Sequence, residues 1–317
     1  MSSVARKSRC PLLVLLSLSV ELFAILAARD TPQQRLEHDE LHHRRSSRLV
    51  EDEGGCDLCE DNWLFILSGG GRTGSTTALS MFNSVPGFEL SGEHYGLLKE
   101  MEKLFQDVKL TTGQMSRGVV AFAGNRVDED YIACSVQHLT KRIILGAQYD
   151  TLIHSAKVIG FKEIRYGSLD MLRFLHRIFP CARYIFSYRD ETDAPVRTAA
   201  FDQKKLLDRW EQASGLFHRV HAKLNSTTSL LALEQLSVEH YNRVLRDKLG
   251  VQGCEFSAVV HDNADGGFRP DQSVSSPLSG ECDLSAVSFR LSPGEVTAAA
   301  AALQDLEREN NATAAPM

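Results

Sequence analysis

Short apolar runs alternate with helix-like stripes along the chain from residue 62 onward. Four runs are typical of buried strands, namely 63–67, 157–161, 184–188 and 230–233. Between the last two, apolar residues recur at helical spacing over five turns: Leu206, Trp210, Ala213, Phe217, Val220 and Leu224. Because strands that alternate with helices favour parallel pairing, the predicted fold is α/β, a three-layer sandwich with a parallel sheet flanked by helices.

Capping residues mark the predicted helix boundaries. Three serines precede amphipathic stretches and are predicted N-caps, namely Ser168, Ser237 and Ser292. The first of these helices should end before Pro180 and the second at Gly250. Glu295 lies three residues after Ser292, which is the spacing of a capping box, so a final helix is expected there.

The first 61 residues differ from the rest. Residues 11–28 are apolar and follow the basic residues Arg6, Lys7 and Arg9. Eighteen helical residues reach about 27 Å, enough for a thin bilayer, so residues 1–28 are expected to be a signal-anchor or, alternatively, a cleaved signal peptide. Either segment predicts entry into the secretory pathway, with residues 29–61 as a polar stalk and 62–317 as the luminal domain.

Composition limits the partners of this domain. The 317 residues are 43% hydrophobic and 24% charged, which fits one large domain or two small ones. A net charge of −6 gives no general basis for binding nucleic acid, so a polyanion would need a local basic site. Two glycosylation sequons begin at Asn225 and Asn311.

Six cysteines follow the apolar segment, and an oxidising compartment favours disulfides among them. Cys254 and Cys282 flank a loop rich in glycine, serine and aspartate and are predicted to pair. Cys56 and Cys59 have the spacing of zinc or redox sites. Because no second pair at zinc spacing accompanies them, a local disulfide or free thiols are expected instead.

A glycine-rich loop, 69–76, follows the first predicted strand and precedes a predicted helix. Such a junction presents backbone N–H groups and a helix N-terminus to a phosphate. Gly69 and Gly74 have the spacing of a P-loop, but Ser75 occupies the position of the lysine in a nucleotide triphosphatase. Arg72 supplies the positive charge instead. A P-loop NTPase-like fold that binds another kind of phosphorylated nucleotide is therefore expected.

The order Arg72-Thr73-Gly74-Ser75-Thr76-Thr77 resembles the 5′-phosphosulfate loop of sulfotransferases. In that family the donor is 3′-phosphoadenosine 5′-phosphosulfate (PAPS). The resemblance implies that seven residues bind its 5′-phosphosulfate: Gly70, Gly71, Arg72, Thr73, Gly74, Ser75 and Thr76.

A second segment, 184–190, resembles the family strand that ends in an arginine bound to the 3′-phosphate, here Arg189. Family members commonly have a serine about eight residues beyond that arginine. This chain has Arg197 there, followed by Thr198, and either side chain could complete the phosphate site. The structural alternative is that Arg189 caps a helix or pairs with Glu191.

Two further segments resemble the family's catalytic region. In 160–166, Lys162 corresponds to the lysine that neutralises the bridging oxygen of the donor as the S–O bond breaks. In 91–95, a pattern similar to that of bacterial trehalose sulfotransferases makes Glu93 the expected base, with His94 as the reserve.

The resemblance, which covers residues 62–250, implies transfer of a sulfuryl group from PAPS to a hydroxyl or amine, with a glycan as the preferred acceptor. A tyrosine-containing protein or a small molecule stays open as the acceptor. No metal is required, because the cationic side chains and a helix dipole supply positive charge. The implied location is the Golgi membrane in type II orientation, or alternatively outside the cell. The rival functions are a divergent P-loop kinase and a non-catalytic, glycan-binding luminal protein.

Overall fold

A computed structural model describes residues 56–115, 129–190, 203–260 and 277–314, all within one compact unit, Cys56–Met317. The predicted signal segment 1–28 and most of the predicted stalk lie outside the described residues. Among the helices in the described ranges, none is both long and apolar enough to cross a membrane.

Seven strands are described: β1 (Trp63–Ser68), β2 (Phe88–Ser91), β3 (Val158–Glu163), β4 (Arg183–Tyr188), β5 (Thr228–Ala232), β6 (Gln252–Phe256) and β7 (Leu278–Asp283). The helices described are α1 (Ser75–Asn83), α2 (Leu97–Met115), α3 (Glu129–Leu145), α4 (Tyr149–Leu152), α5 (Leu169–Ile178), α6 (Gln203–Lys223), α7 (Val238–Asp247) and α8 (Pro293–Ala314). Strands β1 to β5 form a parallel sheet in the order β2-β3-β1-β4-β5, and β6 pairs with β7 in an antiparallel hairpin.

The two faces of β1 explain the layers. All six of its residues are buried. Trp63, Phe65 and Leu67 lie in one apolar cluster with residues of α5, α6 and α8, whereas Leu64 and Ile66 lie in another with residues of α1 and α7. Helices therefore cover both faces of the sheet, which confirms the predicted α/β class with a parallel sheet.

The predicted helix caps are confirmed. The Ser168 hydroxyl accepts from the amide of Met171 at 3.3 Å, and Ser237 begins α7 in the same way. Ser292 and Glu295 exchange both bonds of the capping box. Gly250 has φ 74°, the left-handed conformation with which a helix is commonly terminated.

Three strands were not predicted. β2 has four residues and follows directly on a Pro-Gly turn, so its apolar pattern is too short to recognise. Strands β6 and β7 are mostly exposed and lack the apolar alternation on which the prediction of a strand depends.

The disulfides join distant parts of the chain. The predicted Cys254–Cys282 pair is confirmed and links β6 to β7. The expectation of a local disulfide or free thiols at Cys56 and Cys59 is wrong: Cys56 pairs with Cys134 in α3, and Cys59 pairs with Cys181 just before β4. Three disulfides indicate an extracellular or luminal protein.

Candidate functional site

The strand order places a topological switch point at the carboxyl ends of β1 and β4. From β1 the chain leaves through α1 toward β2 on one side of the sheet. From the adjacent β4 it reaches β5 on the other side, with α6 packed on the opposite face from α1. In open α/β sheets, ligands bind at such a switch point because the two diverging connections leave space between them. The loops that follow β1 and β4 are the ones predicted to bind the donor.

The loop after β1 leads directly into the N-terminus of α1. Gly74 has φ 80° and precedes the first helical residue, Ser75. The left-handed backbone at Gly74 favours glycine, and a Cβ atom there would also lie 2.9 Å from the Cδ1 atoms of Leu233 and Leu236, which would have to shift. The first turn of α1 contains no acidic residue, and the positive end of its dipole is therefore not neutralised within the helix.

The other loop glycines have different roles. A Cβ at Gly69 would lie 1.9 Å from the Cβ of Ala213, so Gly69 permits α6 to pack against the loop. Gly71 is open: within the described ranges, no atom lies within 4 Å of the position of its Cβ. Arg72 has φ 66°, a conformation that costs a non-glycine residue free energy and recurs at ligand sites.

Buried hydroxyl groups lie beneath the loop. The hydroxyls of Ser68 and Thr73 are 2.9 Å apart, and Ser68 also donates to the carbonyl of Gly70. Ser187 in β4 donates to the carbonyl of Thr73 at 2.6 Å. The side chain of Thr73, which was predicted to bind the sulfuryl donor, therefore hydrogen-bonds within the protein, and the residue is only 1% exposed. Ser75 is also buried, whereas Thr76 is partly exposed.

Arg189 lies at the end of β4, next to this loop. Its guanidinium carbon is 5.0 Å from the centre of the Trp210 ring, and the Trp210 indole donates to the carbonyl of Gly71 at 3.0 Å. Its Nε lies 3.4 Å from Oε1 of Glu234, within ion-pair distance, although the geometry is not that of a hydrogen bond. Trp210 thus links Arg189 to the glycine loop. Arg197 and Thr198 lie outside the described residues.

Sequence reasoning assigned Trp210 only to the apolar stripe of a helix. It is 1% exposed, as that stripe requires. The signal that could have identified its second role is its indole N–H, because a buried tryptophan usually hydrogen-bonds a polar partner.

A second group of charged residues forms where β2 and β3 end. Lys162 Nζ lies 2.5 Å from Glu93 Oε1, and Arg165 donates to Glu93 Oε2 at 2.9 Å. Arg165 also donates to Glu163 Oε1 at 2.6 Å. Parallel pairing explains the assembly, because Ser91 of β2 lies beside Phe161 of β3. The predicted catalytic residues Glu93 and Lys162 are therefore in direct contact.

The second group adjoins the glycine loop. Lys162 lies beside Ile66 on the neighbouring strand, just before the loop begins. A Cβ at Gly167 would lie 3.0 Å from the Cα of Gly69, so the chain after β3 packs directly on the loop. The predicted donor and catalytic residues therefore share one edge of the sheet.

Burial and the neighbouring cations act on the pKa of Glu93 in opposite directions. Burial alone raises the pKa of this carboxyl group, but the hydrogen bonds and charges of Lys162 and Arg165 outweigh burial and hold the pKa below its ordinary value. Glu93 is thus a stable anion in this conformation and a poor base while both cations remain beside it.

His94, the reserve base, has another environment. Its Nε2 lies 2.7 Å from the Ser91 hydroxyl, and its ring meets Phe161 edge to face. Burial lowers the pKa of His94, while the charge of Glu163 opposes that effect. At neutral pH the imidazole is therefore mainly uncharged and able to accept a proton.

A cavity of about 460 Å³ lies elsewhere, between α2, α5 and α8. Phe105 and Phe174 line it together with Arg173 and Arg177. Both arginines form ion pairs with acidic side chains of the described residues. None of the predicted site residues lines it.

Comparison with known proteins adds no assignment. No protein-family model matches the chain, and no curated protein matches it either.

Proposed function

We propose that this protein is a sulfotransferase of the secretory pathway that transfers a sulfuryl group from PAPS to a hydroxyl group, with a glycan as the acceptor. The observation that carries the proposal is the junction at the switch point. There, Trp210 contacts both Arg189 and the carbonyl of Gly71 in the glycine-rich loop. That loop has serine in place of the P-loop lysine and leads into the N-terminus of α1. Such a site suits a nucleotide with phosphate groups at two separate positions.

The loop 70–76 would bind the 5′-phosphosulfate through its amides, with Arg72 beside it. Arg189 would bind the 3′-phosphate, since a guanidinium can donate two parallel hydrogen bonds to phosphate oxygens. Arg197 or Thr198, which follow in the sequence, would complete that contact. Magnesium is not needed in this scheme, because side-chain cations supply the positive charge.

In the reaction, the acceptor oxygen would form a bond to sulfur as the bond from sulfur to the bridging oxygen of the donor breaks. Lys162 would donate a hydrogen bond to that oxygen, on which negative charge develops. Glu93 would accept the proton of the acceptor hydroxyl. The products are the sulfated acceptor and adenosine 3′,5′-bisphosphate.

The Glu93–Lys162 ion pair has a place in this scheme. The negative donor would compete with Glu93 for Lys162. As Lys162 moves toward the donor, Glu93 loses one of the cations that depress its pKa and becomes a better base. Donor binding and activation of the acceptor would then be coupled.

The same ion pair favours a second candidate, a glycan-binding luminal protein without catalytic activity. If Lys162 stays on Glu93 when nucleotide binds, no base becomes available. The kinase alternative has less support, because Ser75 replaces the lysine that binds β- and γ-phosphates.

The test is transfer of labelled sulfate from PAPS by the purified full chain to a panel of glycans, tyrosine-containing peptides and small hydroxylated molecules. We expect Glu93→Gln to lower kcat by about 10²–10⁴-fold without weakening nucleotide binding. Arg189→Ala should instead weaken nucleotide binding. Nucleotide binding without transfer to any acceptor would support the non-catalytic candidate and refute the enzyme.

A further inference from the structure

Tyr95 has an unusual conformation for an aromatic residue. Its φ is 53°, in the left-handed region that bulky side chains rarely adopt. Burial of the side chain does not offset the free-energy cost of this conformation, because 87% of the residue is exposed. A conformation that costs free energy and leaves a ring in solvent is typical of a residue held in place for a ligand.

The strain is imposed by the core of the protein. Glu163 is fully buried, and its Oε2 accepts a hydrogen bond from the amide of Gly96 at 2.9 Å. The amide of Leu97 donates to the carbonyl of His94 at 3.1 Å, closing a turn around Tyr95. Gly96 itself has φ 77°. The turn is therefore fixed before any ligand arrives, and the ring projects from it.

The Tyr95 ring is connected through Arg165 to Glu93, the expected base. The guanidinium carbon of Arg165 is 5.4 Å from the centre of the Tyr95 ring. The same guanidinium donates to Glu93 at 2.9 Å, and Glu93 contacts Lys162 at 2.5 Å. A molecule that stacks on Tyr95 would thus lie beside Arg165, which contacts the carboxylate that the proposed function assigns to proton removal.

We propose that Tyr95 is the stacking platform for a pyranose ring of the acceptor, and that Arg165 hydrogen-bonds hydroxyl groups of that sugar. The inference rests on the proposed sulfotransferase function and names the part of the site that binds the glycan. The face of an aromatic ring carries partial negative charge, which attracts the partly positive C–H hydrogens of a sugar ring.

The surroundings of the ring favour a sugar over the phenol of a tyrosine-containing protein. An acceptor tyrosine needs an apolar slot, since an aromatic side chain buries about 150–250 Å². Arg165 lies over the Tyr95 ring and donates to Glu93, and the stem of Lys99 and the edge of the buried Tyr166 lie alongside Gly96. Convergent charged and hydrogen-bonding groups beside one exposed ring suit a ligand that carries many hydroxyls.

The test uses the full chain and measures binding of lactose, N-acetyllactosamine and trehalose by saturation-transfer NMR, without nucleotide. Tyr95→Gly removes the ring, and glycine adopts φ 53° without strain, so the turn is retained. Tyr95→Phe keeps the ring. Tyr131→Ala removes another exposed tyrosine, in α3 and away from the site, as the matched control.

We expect at least one disaccharide to bind, with saturation transferred to its ring C–H protons. Its Kd should rise about tenfold in Tyr95→Gly and change less than twofold in Tyr95→Phe and Tyr131→Ala. Failure of every disaccharide to bind, or an unchanged Kd in Tyr95→Gly, overturns the proposal. So does a Tyr95→Gly variant that loses transfer only to a tyrosine peptide.

A separate readout distinguishes this proposal from the function on which it rests. Adenosine 3′,5′-bisphosphate should raise the Tm of the wild type and of all three variants equally. If it stabilises none of them while disaccharides still bind through Tyr95, the sulfotransferase function fails and the sugar platform stands. If it stabilises all of them while disaccharides do not bind, only the platform fails.

Discussion

Replacing Glu93 by glutamine removes one negative charge from a cluster of four charged residues, Glu93, Lys162, Glu163 and Arg165. Lys162, whose side chain is 9% exposed, loses the carboxylate 2.5 Å away, whereas Arg165 keeps Glu163 at 2.6 Å. Breaking a fully buried ion pair costs about 3–5 kcal/mol and an exposed one about 0.2–1 kcal/mol. Since the Glu93 side chain is 27% exposed and glutamine can still accept one hydrogen bond, we expect a loss of about 1–2 kcal/mol at pH 7.

This loss should depend on pH with a definite sign. The pKa of Glu93 is lower in the folded protein than its ordinary value of 4.5. A group of this kind contributes stability above its unfolded pKa, and that contribution is lost as the pH falls through the folded pKa. The difference between wild type and Glu93→Gln should therefore be constant above about pH 5 and shrink below 4.5.

Urea unfolding at a series of pH values measures this difference. Glu211→Gln in α6 is the matched control, because Glu211 is exposed and should show a difference near zero throughout. A Glu93→Gln difference that is absent at pH 7, or that does not change below pH 4.5, would refute the reasoning about the charge cluster.

Three further predictions concern the loop and the surface. Gly74→Ala should lower the free energy of unfolding by about 1–3 kcal/mol and abolish the stabilisation of the protein by adenosine 3′,5′-bisphosphate. Gly71→Ala should leave the Tm of the free protein unchanged, and equal effects of the two variants on Tm would contradict the geometry. Ser187→Ala leaves the buried carbonyl of Thr73 without its hydrogen-bond donor, so it should lower the free energy of unfolding in urea by about 1–3 kcal/mol. It should also raise the KM for PAPS with little change in kcat, whereas Ser187→Thr, which keeps the hydroxyl, should recover part of the affinity. Asn225 is exposed in the turn before β5, at the opposite edge of the sheet from the site. Asn225→Gln should therefore migrate faster on a gel by the mass of one glycan and keep full activity. An unchanged mobility would show that the sequon is not used.

The sequence was sufficient for the elements that carry either a continuous apolar run or an apolar stripe at helical spacing. β1 and β4 are continuous apolar runs, and α6 carries a five-turn stripe, so each was predictable from local pattern alone. The β6–β7 hairpin was not, because its strands are mostly exposed and are joined by a disulfide instead of an apolar face. The linkage of Cys56 and Cys59 to distant partners depends on the tertiary fold, which spacing along the chain does not encode.

The candidate site divides in the same way. The glycine loop and Arg189 each follow a predicted strand, and the rule that parallel strands end at one edge of the sheet predicts their proximity. The ion pairs of Glu93 and the link through Trp210 were not predictable, because they depend on side-chain conformations and on packing between distant elements. Tyr95 also could not be singled out from the sequence, since its positive φ arises from the hydrogen bond of a buried carboxylate to the next residue.

The central claim is that the site at the carboxyl ends of β1 and β4 binds a nucleotide with a 3′-phosphate. Calorimetric titration of the full chain with adenosine 3′,5′-bisphosphate and with adenosine 5′-monophosphate, which lacks only that phosphate, tests it most directly. A charge-assisted hydrogen bond contributes about 1.5–3 kcal/mol, so the bisphosphate should bind about 10–100-fold more tightly, and Arg189→Ala should remove that preference. Equal affinities of the wild type for the two nucleotides, or tighter binding of ATP with magnesium, would contradict the account.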